Sequence, residues 1–378
     1  MIRPAAGDRR AFQWSRRAGN YCGAVSRNQS DIATNGSAAA NCKDITVPTP
    51  STVNRCSNFL WQPPLTSPCS DLPKSSKGFI GMRAVMRLPS QLHAIVRHPM
   101  NRGAPLRALR RWAAWQIGSR IAPGAILVPF VNGTVLYATP GLKGVTGNIY
   151  YGLGEFEEMA LTVHLLREGD LFVDIGANVG SYTVLASGVL GACTEAFEPA
   201  PGTADILEMN IRLNGISDRA SVHRLALGAQ PSEVRFTTEL DTCNHVAIGD
   251  ECGILVRIDT LDNVLRGKCP LLIKMDVEGY EPEVLKGAEA TLGNPNLLAV
   301  IAETNGGYRC YGYELNDVLG PLGDLGFRSI EYDPHTRRAT WALQRENIRG
   351  NTILARDLQL VQNRVEAAPA VMTLAGQI

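Results

Sequence analysis

From Gly169 onward, apolar and polar positions fall into regular blocks. Short apolar runs at 171–175, 193–197, 220–226, 271–275 and 297–302 read as strands buried on both faces. Between them, apolar residues recur at helical spacing over about 181–189, 202–213, 260–265, 281–292 and 314–323, which predicts helices. Strands alternating with helices imply βαβ units, hence an α/β fold with a mostly parallel sheet and helices on both faces. A β-rich insert at 233–258 separates the third strand from the fourth. Segments 327–332, 340–344 and 352–355 offer closing strands.

Ahead of this block the pattern changes twice. Residues 1–80 are rich in Ser, Asn, Thr, Pro and Ala, as in Asn28–Ser37 and Pro48–Ser51. Such a segment buries too little apolar surface to offset its ordering entropy, so disorder is expected there. An over-extended start, with Met82 or Met86 as the true initiator, is the alternative. Residues 81–168 then read as a helical and β-hairpin extension. In Pro105–Ile117, Leu106, Leu109, Ala113 and Ile117 form one stripe with Arg107, Arg110 and Arg111 interleaved. The expected arrangement is a helix that docks through this stripe and keeps its arginines in water; peripheral contact with a membrane surface is the other reading. Asn132-Gly133 between two apolar runs signals a hairpin over 125–139. Asn148–Glu158, rich in aromatic and acidic residues, offers a lid or wall beside the first sheet strand. The core domain is placed at 169–356 and a tail at 357–378, frayed from Ala367 onward.

Composition narrows the class. The chain has 378 residues, a net charge of +1 and 45% hydrophobic residues. That suits one large α/β domain with extensions and gives no reason to expect nucleic acid as the main partner. Nine cysteines occur, Cys22, Cys42, Cys56 and Cys69 early and Cys193, Cys243, Cys252, Cys269 and Cys310 later, without a C-x-x-C pair. Reduced thiols in a cytoplasmic protein are expected rather than a disulfide framework or a zinc site. The basic N-terminus lacks an apolar stretch after it, and no run of apolar residues is long enough to span a bilayer. The sequons at Asn28, Asn35 and Asn132 are read as chance matches.

The candidate chemistry sits at strand ends. Asp174-x-Gly176-x-Asn178-x-Gly180 joins the first sheet strand to a helix opening at Ser181. The glycines admit a ligand close to the backbone, and the helix start supplies free N–H donors and a positive dipole end. This is not the G-x-G-x-x-G of nicotinamide binding. The carboxylate of Asp174 suits a ligand ammonium group and would repel a pyrophosphate. Glu198, about twenty residues past the glycines, lies where an acidic side chain grips both ribose hydroxyls. An amino acid plus a ribose describes S-adenosylmethionine better than NAD. The fourth strand ends in Asp276-Val-Glu278, two carboxylates at the sheet edge that can position a hydroxyl, hold a cation or take up a proton.

Asp174–Thr183, Phe197-Glu-Pro199, Asn210–Gly215, Leu225–Gly228 and Ile273–Gly279 together resemble the FkbM-family S-adenosylmethionine-dependent methyltransferases, over about Asn148 to Ala355. The resemblance implies a class I methyltransferase (Rossmann-like) sheet of seven strands. It also implies O-methylation of a hydroxyl on a sugar, polyketide or lipid-linked product. By carry-over, Asp174, Gly176, Ala177, Asn178 and Gly180 hold the methionine end, Glu198 and Pro199 the ribose side, and Asp276 borders the methyl group. Asn214 and Ala226 would lie near the adenine.

Proton removal from the hydroxyl needs a base, and His245 in the insert is offered for it, with Glu278 as its rival. Asp276, Glu278 and Glu303 could cluster around a metal, though no ligand spacing requires one, and none is expected. Two other functions are weighed. An NAD-dependent oxidoreductase is weakened by Asp174 and the missing third glycine. A non-catalytic cofactor-binding module is weakened by the intact motifs.

Overall fold

The computed structural model describes residues 90–121, 124–343 and 350–378. The expectations for residues 1–80, and for Met82 or Met86 as initiator, lie outside them.

After the helix Pro105–Ile121 comes a hairpin, β1 (Ile126–Pro129) and β2 (Val135–Ala138). Its turn holds Asn132 and Gly133 at φ of 48° and 84°, the left-handed pair that matches strand twist. The main strands follow: β3 (Leu171–Ile175), β4 (Cys193–Phe197) and β5 (Ala220–His223). The insert carries β6 (Ala226–Leu227), β7 (Ser232–Phe236) and β8 (Ile254–Asp259). The chain then returns with β9 (Leu272–Met275), β10 (Ala299–Glu303), β11 (Arg328–Asp333), β12 (Arg338–Trp341) and β13 (Asn351–Ala355).

The main sheet has the order β12-β11-β13-β10-β9-β3-β4-β5. β10, β9, β3, β4 and β5 run parallel, and β13, β11 and β12 add antiparallel pairs. It is the mostly parallel α/β sheet expected, with eight strands; β12 extends the edge beyond the anticipated seven. Chain order reverses between β3 and β9, so a crevice opens there above the carboxyl ends of both strands.

Side chains alternate between two cores. Phe172, Leu272 and Ile301 pack on one face, and Val173, Ile273, Met275 and Val300 on the other. Double coverage explains why these strands read as unbroken apolar runs. The insert forms its own sheet, β6-β8-β7, so the anticipated strand 220–226 divides between two sheets. The anticipated helix 281–292 is likewise two short helices, Glu281–Lys286 and Glu289–Gly293.

Two expectations about the periphery are corrected. The helix Pro105–Ile121 packs inward through Ala108, Trp112 and Trp115, not through the Leu106–Ile117 stripe. Nor do all its arginines reach water. Arg111 donates to the backbone oxygens of Ile149 and Leu374 and to Asn101 Oδ1, at 3.3, 3.1 and 2.7 Å. The end of the chain is not frayed. After the helix Leu358–Glu366, Val371 and Ile378 are buried. The Asn132 N–H donates to the Met372 oxygen at 2.8 Å, and the Met372 N–H donates to Asn132 Oδ1 at 2.7 Å.

Candidate active site

The turn after β3 is built by close approach. Gly176 has φ of 73°, and a Cβ there would lie 1.9 Å from the Asp276 carbonyl oxygen. The N–H groups of Gly176 and Ala177 donate to the Phe197 oxygen at 3.1 and 2.9 Å, stitching the turn to the end of β4. Asn178 takes the left-handed conformation at φ of 50°, and its Oδ1 accepts the Val179 N–H at 2.8 Å. Gly180, at φ of 87°, faces Leu207, whose Cδ1 would be 2.4 Å from a Cβ. The helix Ser181–Thr183 then continues as a π-helical turn, Val184–Val189.

Asp174 is fully buried. Its Oδ2 accepts the Thr183 hydroxyl at 2.7 Å, while Oδ1 has no hydrogen-bond partner. Burial pushes its carboxyl upward, opposed by Lys274 and by Thr183. Glu198, also buried, accepts the N–H of Asn178 at 3.0 Å and of Ala200 at 2.9 Å. It clasps the glycine turn to the loop through Pro199, and burial still pushes it up to about 7. Ala200 and Ala226 share a small apolar patch with Phe236, Val256 and Ile258.

Asn214 does something other than expected. Its amide accepts from the Val135 N–H and donates to the Val135 oxygen, both at 2.8 Å. One turn earlier, Asn210 accepts the Tyr137 N–H and donates to the Val179 oxygen, both at 2.7 Å. The two asparagines continue the edge of β2 and tie the hairpin to the helix Pro201–Leu213. Their motif carries a structural clamp, and the Asn214 amide is spent on it.

At the crevice the pleat brings together what the linear motif did not disclose. Lys274 on β9 is the register partner of Asp174 on β3. It is buried, donates to Asp276 Oδ2 at 2.8 Å and lies 5.1 Å from the centre of the Tyr182 ring. Tyr182 donates to Glu155, just ahead of the helix Phe156–Leu165. Lys274 is held above its ordinary range by Asp276, Glu155 and Asp174, which overcome the effect of burial. The segment Asn148–Glu158 is hydrogen-bonded to the start of the helix after the glycine turn. Asn148 donates to Ser181 Oγ at 3.0 Å, and Ser181 Oγ donates to the Gly144 oxygen at 3.2 Å. Lys274, Tyr182 and Glu155 were not singled out from sequence. The available signal was a lysine inside a four-residue strand that is otherwise apolar.

Carboxylates crowd the neighbouring strand ends. One oxygen from each of Asp276, Glu278 and Glu303 lies within 4.8 Å of the others, so the anticipated cluster is real. Such a trio is able to hold a cation. Burial and the Asp276 charge push Glu278 up to about 8. They push Glu303 well above the carboxylate range. Glu303 Oε2 is buried without a partner. Glu278 sits in the left-handed region at φ of 55°, a strained position for a non-glycine residue.

His245 is placed in the insert with its ring engaged. Nδ1 lies 2.8 Å from the Cys243 oxygen and Nε2 2.9 Å from Glu251 Oε2. Both ring nitrogens therefore face acceptor oxygens within the insert. The insert reaches the site by other residues. Burial and then the Glu278 charge push the Cys243 thiol up, and Asp241 Oδ2 accepts the Lys143 N–H at 2.9 Å. A cleft of about 440 Å³ lies between the segment after the hairpin, the start of the helix Pro201–Leu213 and the insert, lined in part by Pro140, Ala200, Ile206, Asp241 and Asn244.

Residues 174–328 match the methyltransferase FkbM domain. The chain is 28% identical over 200 residues to the hexuronic acid methyltransferase AglP of Haloferax volcanii, covering 51% of this chain and 79% of that protein. It is 25% identical over 181 residues to methyltransferase 1 of Beauveria bassiana, covering 41% and 72%. Among solved structures, a precorrin-6y C5,15-methyltransferase from Geobacter metallireducens aligns over 53% of this chain and 87% of its own, at 13% identity and a TM-score of 0.32. The glycine turn and the strand-end carboxylates lie within the segment, residues 174–328, that is similar to the methyltransferase FkbM domain.

Proposed function

We propose that this enzyme transfers a methyl group from S-adenosylmethionine to a hydroxyl of a sugar, glycolipid or secondary metabolite. The observation that carries the reading is the buried, unpartnered Oδ1 of Asp174 beside the glycine turn. A carboxylate oxygen without a hydrogen bond is costly unless a ligand supplies the donor, and an amino-acid ammonium does so. The residues fit the rest of such a donor. On this reading Glu198 is the carboxylate assigned to the ribose hydroxyls. The surplus of carboxylates over Lys274 favours a cationic ligand. When bound, the donor supplies an activated methyl group on a sulfonium.

The chain's own part is placement and proton handling. Lys274 fixes Asp276 at the edge of the crevice. Glu278, titrating at about 8, is the proton acceptor this reading selects, because a base works best with a pKa near the working pH. His245 is held inside the insert beside the Cys243 oxygen and Glu251. Pinning the acceptor oxygen in line with the methyl carbon supplies most of the advantage.

The test is transfer of a labelled methyl group from S-adenosylmethionine to fractionated glycans, glycolipids and small metabolites. Label that survives mild alkali marks a methyl ether and supports a hydroxyl acceptor. Label lost in alkali marks a carboxyl ester and removes the hydroxyl assignment. Tight donor binding without incorporation in any fraction would point to a non-catalytic module instead.

A further inference from the structure

The helix Pro105–Ile121 has two apolar faces, and the core takes only one. At about 100° per residue, Ala108, Trp112 and Trp115 point together and pack inward. Leu106, Ala113, Ile117 and Ile121 fall on the opposite side. There Leu106, Ile117 and Ile121 are 75%, 58% and 78% exposed. Arg107 and Arg110 flank this outward stripe and are exposed as well. Beside Leu106, a cleft of about 360 Å³ is lined by Val96, Arg97, Arg102 and Pro105, with both arginines exposed.

The charge of this end of the protein is one-sided. From Ser90 to Gly154 there are seven Lys and Arg and no Asp or Glu, leaving 30 basic against 36 acidic residues elsewhere. The near-neutral total conceals a strongly basic segment joined to an acidic remainder. A basic helix with large aliphatic side chains turned outward has the make-up of an interfacial helix.

We propose that this face docks on an anionic lipid bilayer. Leu106, Ile117 and Ile121 enter the boundary between headgroups and acyl chains. Arg107 and Arg110 meet the lipid charge, and the Arg97–Arg102 cleft receives a lipid phosphate. Contact is peripheral, since no helix among the described residues is long and apolar enough to cross a membrane. Nucleic acid is the weaker match: it would neutralise the arginines and leave the aliphatic stripe in water.

Co-sedimentation of the full chain tests this, with vesicles of phosphatidylcholine alone or mixed with phosphatidylglycerol. Binding is expected only to the anionic vesicles and should weaken as salt rises. Arg107→Glu/Arg110→Glu and, separately, Ile117→Ser/Ile121→Ser should each lower partitioning about tenfold or more. Both pairs are surface changes, so thermal midpoints should stay unchanged. Three results overturn the proposal. One is no binding to anionic vesicles. Another is binding that both variants leave intact. The third is binding to nucleic acid without binding to vesicles.

Discussion

Lys274 is a buried cation among Asp174, Glu155 and Asp276, and the remaining carboxylates outnumber it. Replacing Glu278 with Gln should lower kcat by about 10²–10⁴-fold, the usual contribution of a general base, while the affinity for the proposed donor stays within a few-fold. In the unmodified enzyme kcat/KM should rise with pH and level off above about 8, because a proton acceptor must be ionised to act. A flat profile from pH 6 to 9 would remove Glu278 from the mechanism. Lys274 already donates to Asp276 Oδ2 and supplies a positive charge beside the trio. Activity should therefore survive prolonged chelation, and loss restored by magnesium would identify a metal centre instead. Asp174, Glu198 and Asp276 were legible in sequence because their offsets follow from where strands end. Lys274 and Glu155 were not, since pairing across the sheet and from a preceding helix leaves no fixed spacing.

At the scale of elements, the Asn210–Asn214 pair clamps the hairpin to the helix Pro201–Leu213. Each amide satisfies backbone groups on β2 that would otherwise be left at an open strand edge. Asn214→Ala should cost about 1–3 kcal/mol of stability, read as a thermal midpoint lowered by several degrees. Donor affinity should remain within about twofold. An affinity loss of tenfold or more with an unchanged midpoint would restore Asn214 to the adenine pocket. The helix Pro105–Ile121 was found from its pattern, but its orientation was not. With aliphatic residues on one side and Ala108, Trp112 and Trp115 on the other, periodicity alone cannot say which side the core will take.

For the whole molecule, the sheet and its crevice were legible because strands covered on both faces write themselves as apolar runs bounded by glycines and acids. The docked chain end was not. Residues 367–378 carry little periodicity, and their order comes from long-range hydrogen bonds to Asn132 and Arg111. The buried carboxylates have a collective consequence. Glu158 and Glu278 are pushed up to about 8, and Glu198 and Glu281 to about 7, all by burial, from ordinary values of 4.5. Between those limits the folded protein binds more protons than the unfolded chain, so stability falls as pH rises. The thermal midpoint of the ligand-free protein should therefore decline from about pH 5 to about pH 8. A cationic ligand should flatten that slope. A midpoint that climbs across this window would mean these groups are already ionised in the folded state.

The central claim is that the glycine turn with Asp174 and Glu198 receives S-adenosylmethionine. Calorimetric titration of the purified full chain with S-adenosylmethionine, and in parallel with NAD, tests it most directly. The expected result is saturable binding of one S-adenosylmethionine per chain and no heat of binding with NAD. Asp174→Asn should weaken the former by about tenfold or more. Saturable NAD binding with none for S-adenosylmethionine would contradict the account.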